Sequence, residues 1–561
     1  MLRNRVPDDL AAYPDPVLGV NLRDALSDLL PGEAEQLANC YFDGGLRKRL
    51  GSNRLNASTL GAYSGRGGTK FYPNTATSFR VVAYNTLLAT VSNAGAIGTI
   101  SNSLTADTNV WMTSWPVTDR LYVVNGNQTL AYVSATQNYN TLTGTNIPAT
   151  PSIVMPYLDR LFAIQSSVVV SSNPRSDGVW APITSSWAAY RPIAGAGPPT
   201  ALWLHSSGSG DQSTEAQLLI FQRSAVTALR ATDLGGDVTA AAAPSGWNAR
   251  MEVIDPSIGT ESPYAITTVP GLGTFWFTAD FNLAWLPFGR QAVLLIGDKL
   301  ISNRTDILGL NNVNANALAN VEMKYHDRKL KLFLPVSGNS YSTRQYWLDL
   351  RPLQLLLAGV LAGSVAVLPV SWSGPHSGQS LRRPWNENQG GDSDALYALE
   401  GNSANGMFVY QLNIANRYTD AQGTTDANTA FTYATFYHPF GVPTFRKYIP
   451  EIRVDASGDL RQAGMTIRDL HDFSVSSLGF RTNAGALFTY YTYNGGFLYD
   501  GTSLYSQSVQ HTIARVNVRQ QTASSVMVGD AIQLRVTHSQ GAFILHSLIP
   551  DVQISKTKQV S

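Results

Sequence analysis

The residues that could do chemistry are spread thinly, and the densest group is the segment RDLHDF, Arg468 to Phe473, with Asp469, His471 and Asp472. On a strand, Asp469 and His471 would share a face, but a metal ion needs more ligands than this spacing supplies. The eight histidines are otherwise scattered, and none has HExxH spacing. We therefore predict no metal site and interpret RDLHDF as a surface loop.

Other segments that could carry catalysis fail on spacing. The chain has no GxxxxGK[ST] loop and no GxSxG elbow, and GLGTFW at Gly271 lacks the third glycine and the helix of a dinucleotide site. SNPRSDGVW, Ser172 to Trp180, is similar to the Asp-box of sialidase propellers, but its adjacent Ser-Asp-Gly favours a tight turn beside a packed tryptophan. Asp392 and Asp394 could be glycosidase carboxylates, but they lie in a Gly-rich turn without an identifiable partner. We predict a protein that is not an enzyme, with no catalytic, cofactor-binding or metal-binding residue and no cofactor.

The composition limits the kind of partner. The 561 residues are enough for two or three domains. Charged residues make up 14% of the chain, against about 25% in an average domain, and the net charge is +1. Bulk charge therefore does not hold nucleic acid, and a polar, weakly charged surface suits a durable assembly. The single cysteine, Cys40, excludes an intrachain disulfide, and the N-terminus shows no apolar run typical of a secretory signal.

Seven hairpins dominate the middle of the chain, each with an apolar strand, a short polar turn and a second apolar or aromatic strand. Their starts lie roughly 40 to 70 residues apart, near the length of propeller blades with room for loops. Three share an Asp-Arg pair, whose Asp can bond backbone amides where one blade passes to the next. We predict an all-β fold built around a β-propeller; unrelated hairpins in sandwiches are the alternative. The hairpins begin at Phe79, Asp119, Asp159, Ala216, Gly273, Asp327 and Asp394.

Changes in composition and strand pattern divide the chain into three parts. We predict an N-terminal arm and hairpin over 1–58, the propeller over 59–414 and a C-terminal β-sandwich-like domain over 415–561. We expect helix mainly in the first fifty residues. The stretch LLPGEAEQLANCYFDGGLRKRLG, Leu29 to Gly51, reads as a helical turn, a strand, a Gly-Gly turn and a basic strand. That basic strand is interpreted either as a solvated edge or as a contact surface.

One apolar segment, LQLLLAGVLAGSVAVLPV from Leu353 to Val370, leaves three interpretations open. It is a buried strand and connection inside the propeller, an apolar loop that gates a lumen, or a membrane-active segment at the lower edge of transmembrane length. Pro352, Gly359 and Gly363 work against a continuous helix, which favours the first interpretation.

Three segments carry a resemblance to a known family. They are the opening Gly19–Gly51, with its Gly-Leu-Arg-x-Arg-x-Gly strand, the blade segment Pro156–Trp180, with Arg-Leu-aromatic followed by Ser-Asn-Pro, and the closing Ile532–Ile554. Together they resemble the tail nozzle, or tail-tube (tail hub), β-propeller proteins of short-tailed double-stranded DNA bacteriophages. The likeness reaches both ends and the middle of the chain, and its opening motif is the most distinctive part.

The resemblance implies a structural virion protein. It implies a ring of six copies at the distal end of a short tail, made in the host cytoplasm, that lines and gates the DNA ejection channel. Its partners would be other copies, an upstream adaptor ring, tail fibres or spikes, and double-stranded DNA in transit, with no membrane. We expect the ring interface in 415–561, near Phe445–Val454. Near-zero net charge fits a channel in which DNA slides, because each neutralised phosphate adds affinity.

Two other classes of function remain open. The first is a carbohydrate-binding or carbohydrate-cleaving propeller on a phage tail or cell surface, since the eleven Trp and twenty-five Tyr could stack on sugars. β-Cores favour aromatic residues in any case. The second is a host-encoded scaffold for protein partners. Polysaccharide binding and ring formation distinguish these classes from the nozzle.

Overall fold

A computed structural model gives the architecture of the chain. Its regular structure consists mainly of strands, which are joined by turns and loops, with one described α-helix. The described residues are 12–101, 104–206, 216–231, 234–244, 247–289, 292–303, 307–357, 370–388, 394–438, 440, 447–458, 466–471, 514–521, 527–529, 532–539 and 541–554.

The first five strands form an N-terminal arm, and the following ones form four-stranded antiparallel sheets in chain order. The arm comprises β1 (Gly19–Val20), β2 (Glu33–Ala38), β3 (Cys40–Phe42), β4 (Leu46–Lys48) and β5 (Gly51–Arg54). The first four sheets comprise β6–β9 (Gly65–Phe71, Phe79–Tyr84, Leu87–Val91, Ile97–Ser101), β10–β13 (Trp111–Trp115, Arg120–Val124, Ala131–Ser134, Tyr139–Thr141), β14–β17 (Ile153–Tyr157, Arg160–Gln165, Val168–Ser171, Ala189–Tyr190) and β18–β21 (Pro199–His205, Gln217–Gln222, Val226–Arg230, Arg250–Asp255).

Three more sheets and a C-terminal region follow. The fifth to seventh sheets comprise β22–β25 (Ile266–Val269, Gly273–Phe277, Leu283–Pro287, Leu294–Leu295), β26–β29 (Glu322–His326, Lys329–Leu334, Arg344–Asp349, Ser371–His376) and β30–β32 (Leu381–Asn388, Asp394–Glu400, Val409–Ile414) with β5. The remaining strands are β33 (Thr419–Gln422), β34 (Thr425–Asn428), β35 (Phe431–Thr435), β36 (Lys447–Gly458), β37 (Thr466–His471), β38 (Ala514–Gln521), β39 (Met527–Gly529), β40 (Ile532–His538) and β41 (Phe543–Ile554). Helix α1 is Arg351–Leu357, and 3₁₀ turns cover Pro263–Ala265, Asp298–Leu300, Leu310–Asn312, Ala315–Asn320 and Ser403–Asn405.

Within the described residues, the seven sheets form a closed ring of seven blades. The first strand of each blade contacts the first strand of the next, and β30 of the seventh blade contacts β6 of the first. The ring closes because β5 from the arm pairs antiparallel with β32 and completes the seventh blade. The fold is therefore an all-β propeller, as the sequence predicted, and a C-terminal β-sandwich-like domain follows it.

The predicted hairpins are the second and third strands of the seven blades. Blades pack face to face, so these strands are covered on both sides and appear in the sequence as continuous apolar runs; every residue of β7, for example, is buried. The Asp-Arg pairs accordingly stand at the turn before the second strand, not between blades. Asp119 still links blades, because its carboxylate accepts hydrogen bonds from Asn74 N and Thr75 Oγ1 of the preceding blade, both at 2.7 Å.

The arm joins the propeller to the C-terminal strands. Beyond β29 of the sixth blade, one continuous sheet adds β1, β2, β35, β40 and β37. The arm hairpin β3–β4 instead pairs with β41, in a second sheet with β36 and β38. Apolar residues of both sheets, including Phe431 and Phe543 with ring centroids 4.7 Å apart, belong to one core with the sixth blade. The arm and the C-terminal strands therefore form the sandwich together.

Several local predictions were wrong. Glu33–Ala38 is a strand, and the described α-helix is not in the first fifty residues but at Arg351–Leu357. The basic strand is not a solvated edge, because it pairs with β3 on one side and β41 on the other, and Lys48 and Arg49 are buried. The next strand, Gly51–Arg54, closes the propeller.

The apolar segment 353–370 begins in helix α1, Arg351–Leu357, not in a strand. Pro352 occupies the first turn, where the missing N–H costs nothing, and Leu353 is buried. Residues 358–369 lie outside the described residues. Among the helices that are described, none has the length and apolar content needed to span a bilayer.

Candidate binding site on the propeller axis

The first strand of each blade lines the axis of the propeller. Neighbouring blades cover its two sides and the second strand covers its back, so side chains that remain accessible along it face the axial space. Half-buried residues of this kind are Met112, Met155, Trp203, Thr268 and Lys324. The axis therefore combines apolar and aromatic surface with an ammonium group.

Side chains meet across the axis at the end where the inner strands begin. Asn109 of the second blade donates to Asn320 Oδ1, just before the sixth blade, at 2.9 Å. Arg382 of the seventh blade donates to Asn109 Oδ1 at 3.1 Å and to Asn320 Oδ1 at 2.8 Å. The rings of Trp111 and Tyr264, from the second and fifth blades, lie 5.6 Å apart. We call these five residues the axial plug, because they fill this end of the axis.

Arg383 connects the plug to a buried carboxylate through a strained backbone. Its φ is +54°, a left-handed conformation that is uncommon for a residue before proline, and it lies in a register shift between β30 and β31. Its N–H and its Nη1 both donate to Glu322 Oε1 at 2.8 Å, and its guanidinium lies 3.5 Å from the centre of the Tyr264 ring. Such a conformation costs on the order of 1 kcal/mol or more and is commonest at functional sites.

We call Glu322, Lys324, Arg382 and Arg383 the axial cluster. It carries more positive charge than its one carboxylate balances. Glu322 is fully buried and ion-paired with Arg383, whereas Arg382 and Lys324 have no carboxylate within ion-pair distance among the described residues. Burial, and then the charge of Arg383, lowers the pKa of Arg382 to about 9. Burial likewise lowers the pKa of Lys324 to about 8, and raises that of Glu322. Both cations remain charged at neutral pH, so the arrangement favours binding of an anion.

Some hydrogen-bonding atoms of the cluster lack partners. Arg382 Nε and Glu322 Oε2 are buried without a hydrogen bond to any described residue. The described contact of the Lys324 ammonium is the Trp203 ring, whose centre is 6.0 Å from Nζ. Buried polar groups are normally paired, so each unpaired one needs an explanation such as a bound water or ion.

The residues singled out from the sequence lie elsewhere. Trp180 is fully buried, and its Nε1 donates to Asp177 O at 2.6 Å, consistent with a tight turn and a packed tryptophan. Asp469 and His471 are on strand β37, so the surface-loop interpretation was wrong; Asp472 and Asp392 lie outside the described residues. Asp394 opens β31, and Gly271 forms the turn before β23. No group of three His, Cys, Asp or Glu in the described part of the chain could hold a metal.

The sequence contained one signal for the axial cluster that was missed. Charged residues in VEMKYH and LRRPW interrupt strands of an otherwise apolar blade pattern. Charges placed in the interior of a sheet are costly unless they are paired, so such interruptions point to a buried polar site.

Comparisons with known proteins give only weak likenesses to solved structures. No family model matches the chain, and no curated protein matches it. Virginiamycin B lyase from Staphylococcus aureus is 8% identical, covering 65% of this chain and 99% of its own, with a TM-score of 0.39. YCF48 from Cyanidioschyzon merolae is 10% identical, covering 65% and 98%, with a TM-score of 0.36.

The extracellular domain of a one-component system from B. thetaiotaomicron is 8% identical and covers 66% of this chain, with a TM-score of 0.39. This propeller chain spans 40% of that protein's length. Likenesses this weak assign this propeller neither an activity nor a partner.

A buried histidine next to the axis makes stability depend on pH. His205 ends β18, its Nδ1 lies 2.8 Å from Thr274 Oγ1, and burial, and then the charge of Arg230, lowers its pKa to about 4. The unfolded chain takes up a proton near pH 6.5 and the folded chain near 4, so folding stability falls as pH drops through this window. We expect His205→Asn to reduce that loss, by up to roughly 3 kcal/mol at pH 4. Urea unfolding of the wild type and of His205→Asn at pH 7 and pH 4.5 measures the loss of stability in each protein. Equal losses in the two would contradict the assignment.

Proposed function

We propose that this chain is a structural subunit of the tail nozzle of a short-tailed double-stranded DNA bacteriophage. In this proposal six copies form a ring at the distal end of the tail, below an adaptor ring and beside fibres or spikes, and line the DNA ejection channel. The resemblance of Gly19–Gly51, Pro156–Trp180 and Ile532–Ile554 to that family is its basis.

The observation that carries the proposal is the position of the arm. The segment with the most distinctive resemblance, Gly19–Gly51, provides strands to a sheet that runs from the sixth blade into the C-terminal sandwich. Its buried Glu33 binds Lys299 at 2.9 Å, and its buried Glu35 accepts a hydrogen bond from Gln533. The arm thus fastens propeller and sandwich into one unit, which a ring subunit under mechanical load requires.

The axial plug limits where DNA could pass. Contacts such as Trp111–Tyr264 across the propeller axis leave no room for a duplex within one subunit. In the proposed ring, DNA therefore passes through a lumen between copies, and the propellers form its wall. Gating is accordingly assigned to contacts between subunits, not to the propeller axis.

Deletion of 415–561 is not a suitable test of the ring interface expected in that region. Strand β36, which covers most of Phe445–Val454, lies between β38 and β41, so its backbone is not a free edge. Deleting 415–561 would also remove the partners of β2 and β4 and expose their core residues. We expect that truncation to aggregate, so point substitutions on the intact chain are the appropriate experiment.

Negative-stain electron microscopy of the purified protein, and of virions labelled against it, tests ring formation directly. We expect six-fold rings, since the resemblance implies six copies and a closed ring needs one face of each copy to meet a different face of the next. The arm belongs to the same sandwich as 415–561, so a point substitution on its surface tests the interface expected there, and Leu30 of the arm is 58% exposed. We expect Leu30→Asp to give monomers, since a charge would be buried between copies.

The matched control is Val253→Asp on the outer strand of the fourth blade, where Val253 is 52% exposed. Rings should persist in this variant. A wild-type protein that forms no rings, on virions or alone, would contradict the proposal. Binding of labelled surface polysaccharide by such a ring-free protein would favour the carbohydrate alternative.

A further inference from the structure

Two cations in the interior of the propeller, Arg382 and Lys324, have no carboxylate within ion-pair distance among the described residues. Arg382, 4% exposed, has the neutral amide oxygens of Asn109 and Asn320 as its described hydrogen-bond acceptors. The ammonium of Lys324 faces the Trp203 ring, whose centre is 6.0 Å from Nζ. The nearby carboxylate, Glu322, already binds Arg383 with one oxygen.

We propose that the axial space beside Lys324 binds a small oxyanion of phosphate size. The ammonium of Lys324 would contact the anion directly, in a group where three cations, Lys324, Arg382 and Arg383, surround one carboxylate, Glu322. Two independent observations point to this ligand. The first is the uncompensated charge, since buried charges are stable when paired. The second is the buried, unpartnered Nε of Arg382.

The surroundings set the size and class of the ligand. The axial plug closes the end of the axis where the inner strands begin, so the ligand enters from the other end and must be small. The Trp203 indole lies beside Lys324, and its Nε1 is already used by Thr268 Oγ1 at 3.0 Å. A hydrated cation is repelled by the two unpaired positive groups, and a neutral solute leaves them uncompensated. A compact oxyanion satisfies both the charge and the N–H donors.

The proposal does not depend on the nozzle function. DNA phosphates are a possible source of the same chemistry, but a duplex cannot reach the interior of the blades. Inorganic phosphate should therefore bind, and a DNA duplex should not compete for the site.

The test is equilibrium dialysis of the full-length protein with labelled inorganic phosphate at pH 7 and low salt. We expect one saturable site per chain. Lys324→Met should weaken binding at least tenfold, and Lys324→Gln should do the same if the methionine variant does not fold. Glu322→Gln should strengthen binding several-fold, because the amide oxygen can still accept from Arg383 while the negative charge beside the anion is gone.

The matched control is Arg250→Met, which removes one positive charge from the exposed outer strand of the fourth blade. Its phosphate binding should stay within twofold of the wild type. Absence of saturable binding, equal loss in Arg250→Met and Lys324→Met, weaker binding in Glu322→Gln, or displacement of phosphate by duplex DNA would each overturn the proposal.

Discussion

Replacing Asp420 by alanine is expected to lower the free energy of unfolding by about 3–5 kcal/mol, the cost of leaving a buried guanidinium without its counter-ion. The side chains of Arg49 and Asp420 are 5% and 1% exposed, and they form a two-point ion pair. Arg49 also donates hydrogen bonds to Asn39, Leu50 and Ser377. It therefore connects the arm to the segment between the sixth and seventh blades and, through Asp420, to strand β33 after the seventh blade. Urea unfolding of the full-length protein measures the change.

An exposed ion pair provides the control. Arg223 and Glu261 are 70% and 27% exposed, so Glu261→Ala should cost less than about 1 kcal/mol. Adding Arg49→Met to Asp420→Ala should recover part of the loss, because it removes the unpaired buried charge. If Asp420→Ala costs no more than Glu261→Ala, the buried pair does not stabilise the closure.

Gly51→Ala is expected to destabilise the protein by about 3 kcal/mol, at the upper end of overpacking effects. An added Cβ would lie 2.0 Å from Thr419 O, and backbone movement is needed to relieve that contact. Gly51 begins the strand that closes the propeller, opposite Ile414, and its N–H donates to Arg417 O at 2.7 Å. The shift should therefore loosen the seventh blade, which hydrogen exchange of β5 and β32 can detect.

A second glycine separates this effect from the general cost of a methyl group. Gly178 also has an ordinary φ, but its nearest neighbour, Thr143 O, would lie 4.0 Å from an added Cβ. Gly178→Ala should change the free energy of unfolding by less than about 0.5 kcal/mol. Equal destabilisation by the two substitutions would show that space at Gly51 is not the determinant.

The middle strands of the blades were predictable because burial on both faces favours apolar residues along the whole strand. Phe79–Tyr84 and Arg160–Gln165 are almost wholly buried, and apart from Arg80, Arg160 and Gln165 their residues are apolar. The inner strands Glu322–His326 and Leu381–Asn388 carry Glu, Lys, His and two Arg. Their strand conformation depends on partners from other blades. The local sequence pattern gives no information about those partners.

The arm shows a tertiary contact overriding local preference. The sequence of Glu33–Ala38, EAEQLA, consists of good helix formers. It forms a strand because Glu33 and Glu35 find buried partners in Lys299 and Gln533, hundreds of residues away. The charges in VEMKYH and LRRPW indicated a buried polar site, but its membership was unpredictable for the same reason, since closure of the ring brings Asn109, Glu322 and Arg382 together.

The shared sandwich also dictates when the protein can finish folding. The Tyr13 hydroxyl bonds to Ile532 O, 519 residues further along, and β2 belongs to the same sheet as β40. During translation the arm is made first and its partners among the last, so its strand edges wait without partners while the blades are synthesised. Closing so long a loop is slow, and exposed edges attract chaperones or aggregate. A prematurely terminated chain never completes this sheet, so translation itself selects which copies are competent to assemble.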